Sequence, residues 1–209
     1  MTYIDETVAR LEREKQKASQ KANDFVKNEY DDIEELSEQE KERIQKGIKE
    51  GTLNLFDSDI QFTKRSFFDN RISMKFPENY FEQIANEKGY IVECNMKYTV
   101  NFILNFAQEN GIHFNPGNLK KEMKENLEKR KIHITWIEDG LQRIQQQKMA
   151  YCLFITKSYK DVFFQYMTFI ELKDGFLTLN INGDIKQVKI WEQIIKCMIK
   201  TIEIGGKNI

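Results

Sequence analysis

Hydrophobic positions divide the chain into a first part with helical spacing and a second part with alternating spacing. Through residues 2–52, apolar side chains recur every three or four positions, as they do along an amphipathic helix. From residue 59 onward, apolar and polar side chains alternate, as they do along a half-buried strand. The pattern predicts an N-terminal helical segment over residues 1–56 and a strand-rich domain over residues 57–209.

The N-terminal segment has the pattern of two helices, which form either a helical hairpin or a long helical arm. Ser37, with Glu40 three positions later, makes a capping-box pattern, so we predict that the second helix begins there and ends at Gly51. The first helix has a thin apolar stripe, which we expect to lie against its own domain or against a partner. The stripe consists of Ile4, Val8, Leu11, Ala18, Ala22 and Phe25.

The second part of the chain has the pattern of an antiparallel meander. Alternating residues around Asp69-Asn70 predict a hairpin, and strand-like runs follow at 90–97 and 99–106. Between this hairpin and the run at 90–97, the stretch ENYFEQIANEKG predicts a short helix that ends at Gly89. The domain is therefore predicted to be of the α+β class.

Two turn patterns divide the last half of the domain. Pro116-Gly117 is typical of a type II turn, after which Asn118 would cap a helix. Asp139-Gly140 lies between alternating runs and predicts a tight hairpin turn.

The stretch VFFQYMTFIEL, residues 162–172, is apolar on both of its faces, with Phe164 and Tyr166 on one of them. A strand with two apolar faces belongs in the middle of a sheet that is covered on both sides. The next strand instead alternates, so that Thr178 and Asn180 share a polar face. The chain then closes with the wide apolar face of a last helix.

The order of elements over residues 60–204 resembles the Mog1/PsbP/DcrB-like family. The resemblance lies in the strand RISMKFPENY, the meander VFFQYMTFIELKDGFLTLNI and the closing helix VKIWEQIIKCMIKTIEI. It implies an antiparallel sheet flanked by helices, in an α/β/α sandwich. It also implies a protein-binding accessory role, since members resemble a regulator of a small GTPase, a photosystem subunit and chaperones of secreted bacterial effectors. The family implies no catalytic residues.

Composition and charge narrow the classes of partner. The net charge is −1, with −4 in residues 1–50 and +3 in the remainder, so no strong overall field attracts nucleic acid. The basic stretch KKEMKENLEKRK fits the solvent face of a helix. The longest apolar run, VFFQYMTFI, is far shorter than the roughly 18 residues of a membrane span. The N-terminus lacks the pattern of a secretory signal. We therefore predict a cytoplasmic protein with no nucleic-acid partner and no membrane insertion.

Reactive groups form no recognised pattern along the chain. His113 and His133 lack the spacing of metal ligands, and the three cysteines lie in apolar runs typical of buried thiols. We predict no enzyme activity, no metal and no cofactor. The favoured function is a non-catalytic adaptor or chaperone-like factor, for example for a bacterial secretion system, that binds an apolar helix of another protein.

The predicted binding surface combines part of the sheet with the stripe of the first helix. Its residues are Phe164, Tyr166, Thr178 and Asn180 in the sheet, and Val8, Leu11 and Phe25 in the helix. One alternative is a small-ligand-binding protein or enzyme with a pocket between sheet and helix, using His133, Cys152 or Glu138. A second alternative is an oligomeric structural component of a phage or secretion assembly, joined through the N-terminal helices.

Overall fold

The computed structural model describes residues 3–56, 58–108, 116–130, 132–144, 147–158, 161–172 and 174–205. Within them the helices are α1 (Tyr3–Asp31), α2 (Glu38–Glu50), α3 (Pro116–Lys129) and α4 (Val188–Ile199). The strands are β1 (Thr52–Leu55), β2 (Ser58–Phe67), β3 (Ile72–Glu78), β4 (Glu82–Glu87), β5 (Tyr90–Asn95), β6 (Val100–Ala107), β7 (His133–Ile144), β8 (Gln147–Ser158), β9 (Asp161–Leu172), β10 (Gly175–Asp184) and β11 (Glu203–Ile204).

These strands form two antiparallel sheets. The small sheet has the order β1-β2-β3-β11, and the large sheet has the order β4-β5-β6-β10-β9-β8-β7. One face of the large sheet, called the inner face, shares a single core with α2, α4 and the small sheet. The opposite, outer face carries a second apolar cluster beneath α3. The predicted α+β class and the two-sided cover of the large sheet are confirmed.

Helix α4 supplies the centre of the main core. Trp191, Ile194 and Ile195 lie on its buried face and are at most 1% exposed. Burying each side chain of this size contributes roughly 1.5–3 kcal/mol, so the closing helix holds the inner face of the large sheet against the small sheet.

Helix α2 begins and ends where the sequence predicts. The Ser37 hydroxyl accepts a hydrogen bond from the Glu40 backbone N–H, and the Glu40 carboxylate accepts one from the Ser37 backbone N–H. Gly51 ends the helix in the left-handed region, with a φ of 99°. Ile44 and Ile48 are buried in the main core, so α2 packs on the sandwich.

Helix α1 reaches the sandwich through its C-terminal part. Val26 is buried in the main core, and the Thr135 hydroxyl of β7 donates to the Asn23 side chain over 2.9 Å. The domain boundary at residue 56 stays a prediction; strand β1, before it, pairs with β2, after it.

Three local predictions are corrected. Residues 82–87 form strand β4 instead of a helix, because they pair with β5. Strand β7 continues through Asp139-Gly140, because its ladder with β8 runs from His133 to Ile144 around a bulge at Ile137. Helix α3 already begins at Pro116, since proline lacks an N–H and suits the first helical position.

No helix among the described residues is both long and apolar enough to cross a membrane.

Candidate partner-binding surface

The four predicted sheet residues lie on opposite faces of the large sheet. Phe164 and Tyr166 are 0% and 1% exposed and belong to the main core under α4. Thr178 lies opposite Phe169, on the outer face, and Asn180 follows it on the same face. The expectation that one surface joins all four residues is therefore corrected, because a partner on the outer face cannot reach the core side of β9.

The predicted helix residues are placed only in part. The Phe25 side chain is exposed, and the Lys157 ammonium lies 3.6 Å from the centroid of its ring. Val8 and Leu11 fall within the backbone of α1, but their side chains lie outside the described residues. A partner contact along this stripe stays a prediction.

A row of amide side chains crosses the outer face around Asn180. Asn101 of β6 donates to Asn182 of β10 over 2.9 Å, and Asn180 donates to Gln165 of β9 over 3.1 Å. Gln165 in turn donates to the Thr156 hydroxyl of β8 over 3.5 Å. These hydrogen bonds form two groups, Asn101 with Asn182 and Asn180 with Gln165 and Thr156, so this half of the outer face is polar.

A second surface lies at the end of the sandwich where the connections β1–β2, β3–β4 and β5–β6 meet α4. We call it the aromatic end, and it contains Phe56, Tyr80, Tyr98 and Trp191. The ring centroid of Tyr98 lies 4.8 Å from that of Phe56 and 5.9 Å from that of Tyr80. The Tyr80 and Trp191 centroids lie 5.8 Å apart. Burial, followed by the nearby Tyr98, raises the pKa of the Tyr80 phenol, so it stays protonated.

Residues 96–99, here called the Met96 loop, connect β5 to β6 at the aromatic end. Thr99 has a φ of +50°, which is uncommon for a β-branched residue and is kept only where its surroundings hold it. The Tyr98 N–H donates to the Asn95 side chain over 3.2 Å, and Gln187 donates to the Tyr98 carbonyl over 3.2 Å. The backbone of the loop is therefore restrained by hydrogen bonds on both sides of Tyr98.

Met96 projects from this restrained loop. Its side chain is 81% exposed, more than any other large apolar side chain that the structure describes. The neighbouring Tyr98 is tied down, because its hydroxyl donates to the Phe56 carbonyl over 2.9 Å. A restrained loop thus presents one unprotected apolar side chain, and methionine and aromatic residues are enriched where proteins bind each other.

The reactive residues named for a pocket do not come together. Cys152 faces outward beneath α3, whereas Glu138 faces inward and lies 3.7 Å from the ammonium of Lys196 on α4. Burial, followed by the nearby Asp139, raises the pKa of the Cys152 thiol to about 12, so it remains protonated. The side chains of His113 and His133 lie outside the described residues.

A narrow crevice of about 150 Å³ opens between α3 and β7. Asp139 lies at its rim and accepts hydrogen bonds from the Lys120 ammonium over 2.8 Å and the Trp136 indole over 2.7 Å. The Lys120 hydrogen bond, followed by that from Trp136, holds the pKa of Asp139 below its usual value. The crevice has room for one side chain and is too small for an ordinary cofactor.

A basic cleft of about 520 Å³ lies between the two sheets, lined by Lys64, Lys75 and Lys200 and by the end of strand β7. Lys64 pairs with Glu203, and Lys75 donates to a carbonyl at the end of α2. Two of the three lysines therefore already have partners within the fold. Among the described residues, no cluster of three histidine, cysteine, aspartate or glutamate side chains could hold a metal ion.

Sequence reasoning missed the Met96 loop. The signal was present in NMKYT, a methionine between two strand-like runs where a turn must form. Periodicity treats such a methionine as one more strand residue, so the predicted strand extends to residue 97.

Comparison with known proteins supports the fold. No protein-family model matches the chain, and no curated protein sequence matches it. The solution structure of the cyanobacterial PsbP protein CyanoP, from Synechocystis sp. PCC 6803, superposes with a TM-score of 0.58 at 8% identity, over 69% of this chain and 92% of that chain. The envelope-biogenesis protein LpqN of Mycobacterium tuberculosis gives a TM-score of 0.46 at 11% identity, over 72% and 94%.

The match to CyanoP shows a shared fold, and it confirms the resemblance to the Mog1/PsbP-like arrangement. At 8% identity it carries the fold alone.

Proposed function

We propose that this protein is a non-catalytic accessory factor that binds another protein through the Met96 loop. The observation that carries the proposal is the 81% exposure of Met96 on a loop held by hydrogen bonds at Asn95 and Tyr98. A restrained loop loses little conformational freedom on binding, so most of the interaction energy of its anchor is kept.

The partner that fits this loop has an apolar pocket for one methionine side chain. Burying a side chain of this size contributes roughly 1.5–3 kcal/mol. Phe56, Tyr80 and Tyr98 of the same aromatic end are half-buried, and aromatic side chains are common where proteins bind each other. An adaptor or chaperone-like role in a bacterial secretion system is the narrower form of the proposal.

The test compares two apolar side chains of similar exposure. Tagged full-length protein, Met96→Ser and Ile84→Ser are used to capture proteins from the native host, and each captured protein is then purified and titrated by calorimetry. Ile84 is the matched control, since it is 62% exposed but lies on the edge strand β4. We expect a partner whose Kd rises about 10- to 150-fold with Met96→Ser and stays unchanged with Ile84→Ser.

Two results would overturn the proposal. One is a set of captured proteins that all bind wild type and Met96→Ser equally. The other is turnover of a small molecule by the purified chain with no protein partner present.

A further inference from the structure

Strand β7 ends the large sheet with an edge that no described strand pairs. Helix α1 contacts its first half at Thr135, and the bulge at Ile137 interrupts its ladder with β8. After the bulge, residues 138–144 run as a regular strand, and we call them the free segment. A regular unpaired edge of this length is a template for another strand.

The side chains of the free segment form a pattern that suits one particular occupant. Asp139, Leu141 and Arg143 lie opposite Cys152, Ala150 and Lys148, so all three share the outer face. Leu141 is 66% exposed.

Arg143 lies directly opposite Lys148 in the ladder with β8. It forms no ion pair with any residue that the structure describes. Like charges in this position repel each other, so a carboxylate arriving from the next strand would relieve the repulsion.

We propose that two copies of this chain pair antiparallel through their free segments, with Leu141 on the two-fold axis. In that register Leu141 lies opposite Leu141 of the other copy, and Asp139 lies opposite Arg143 twice. The Asp139 oxygen Oδ1 already accepts from Lys120 and Trp136, which leaves Oδ2 for the arginine. The segment is therefore self-complementary, as a two-fold interface requires.

The size of the contact sets its strength. Seven paired residues on each side form an interface at the small end of the range for specific complexes, so we expect a Kd of about 1–100 µM. This dimer is independent of the proposed function, because four strands separate β7 from β5 and the Met96 loop. It also differs from assembly through the N-terminal helices.

The experiment measures the mass of the full chain by sedimentation equilibrium up to about 200 µM, above the expected Kd. The variants are Leu141→Glu, Arg143→Asp, Asp139→Arg and the control Ile84→Glu on β4, each checked for folding by circular dichroism. We expect wild type and Ile84→Glu to dimerise and Leu141→Glu to remain monomeric.

The two charge variants test the register. Alone, each variant places like charges opposite each other twice, so its Kd should rise at least about tenfold. Mixed in equal amounts, Arg143→Asp and Asp139→Arg restore two opposite-charge pairs, and their heterodimer should regain nearly the wild-type Kd. A monomeric wild type, a dimer that survives Leu141→Glu, or a mixture that stays monomeric would overturn the proposal.

A disulfide cross-link between two copies provides a second test of the proposed pairing. Side chains directly opposite each other in an antiparallel pair have Cβ atoms about 4.5–5.5 Å apart, close to the reach of a disulfide. Leu141→Cys should therefore form a disulfide dimer under mild oxidation, whereas Ile84→Cys should not. The three native cysteines are free and buried, so they do not compete. Equal cross-linking of both variants would count against the pairing.

Discussion

The two edges of the large sheet are protected to different degrees. Strand β4 has six residues, begins and ends with the glutamates Glu82 and Glu87, and carries a bulge at Ile84. Strand β7 has twelve residues, and its bulge at Ile137 and its contact with α1 guard only the first half. Short length, charge and bulges are the usual means by which an edge avoids pairing.

The difference shows that protection of an edge is local. Both edges expose one large apolar side chain, Ile84 on β4 and Leu141 on β7. At Ile84 the bulge distorts the backbone around the side chain, whereas Leu141 lies within a regular ladder. Exposure alone therefore does not distinguish a closed edge from an open one, and the backbone beside the side chain decides.

The largest expected effect concerns how each edge region is joined to the rest of the molecule. Near β4, Arg65 of the small sheet pairs with Glu93 of β5, which is buried. Near β7, Lys196 and Glu138 lie 3.7 Å apart with both side chains partly exposed. Arg65→Met should lower the free energy of unfolding by about 2–4 kcal/mol, because it leaves a buried carboxylate without its partner.

The matched substitution is Lys196→Met, which removes the pairs with Glu138 and Glu192. It should cost about 1 kcal/mol, less than Arg65→Met, because both of its partners keep contact with water, whereas Glu93 does not. Urea unfolding followed by circular dichroism measures both. Equal losses would show that the two edge regions are joined equally firmly.

The next effect concerns the space available for a larger side chain in each edge strand. A Cβ at Gly140 of β7 would lie 2.6 Å from the Tyr151 hydroxyl, and the Tyr151 ring is stacked on Tyr166. Gly140→Val should therefore destabilise the fold by about 1–3 kcal/mol, since the ring must move. Ala85→Val in β4 should stay within about 0.5 kcal/mol. Thermal unfolding in dilute protein compares them, and equal costs would contradict the packing argument.

Amide hydrogen exchange should separate the edges without any substitution. At a total concentration about ten times the dimer Kd, about one fifth of the chains are monomeric, so dimerisation slows exchange through opening by about fivefold. We expect that slowing for backbone amides of residues 138–144, and no concentration dependence for residues 82–87. Mass spectrometry of peptic peptides at two concentrations measures it; equal behaviour of the two segments would remove the distinction between the edges.

The smallest expected effect is that of pH on the dimer. Hydrogen bonds from Lys120 and then Trp136 lower the pKa of Asp139, and the charges of Lys120 and Lys124 act in the same direction. Because its pKa is lowered, Asp139 keeps its negative charge throughout and above the usual titration range of aspartate. Its attraction to Arg143 of the other copy is therefore lost only as the pH falls through the lowered pKa. The dimer Kd should therefore change less than about twofold between pH 8 and 5.5. A steep loss in that range would show that another group controls the contact.

Local sequence signals predicted the elements whose own residues determine them. The capping box at Ser37 and Glu40 placed the start of α2 correctly. The apolar face of α4 and the two apolar faces of β9 predicted the layers, since burial on both sides leaves a pattern within the strand itself.

Other features depend on partners that a periodic pattern does not reveal. Asp139-Gly140 has the composition of a turn, but the ladder with β8 holds it as a strand. Because β9 is apolar on both faces, its sequence does not tell which face packs against α4. Only the register between β9 and β10 shows that Tyr166 and Thr178 lie on opposite faces of the sheet. Met96 is apolar and exposed, which no pattern of burial predicts.

The position of β10 has a consequence for how the chain acquires its structure. This strand joins β6 on one side and β9 on the other, yet β7, β8 and β9 all lie between β6 and β10 in the sequence. At roughly 5–20 residues per second, β6 would wait several seconds on the ribosome before β10 emerges. Strands β4 to β6 then remain as an incomplete sheet with Phe102 and Leu104 uncovered. We expect folding to be slow, as long-range pairing requires.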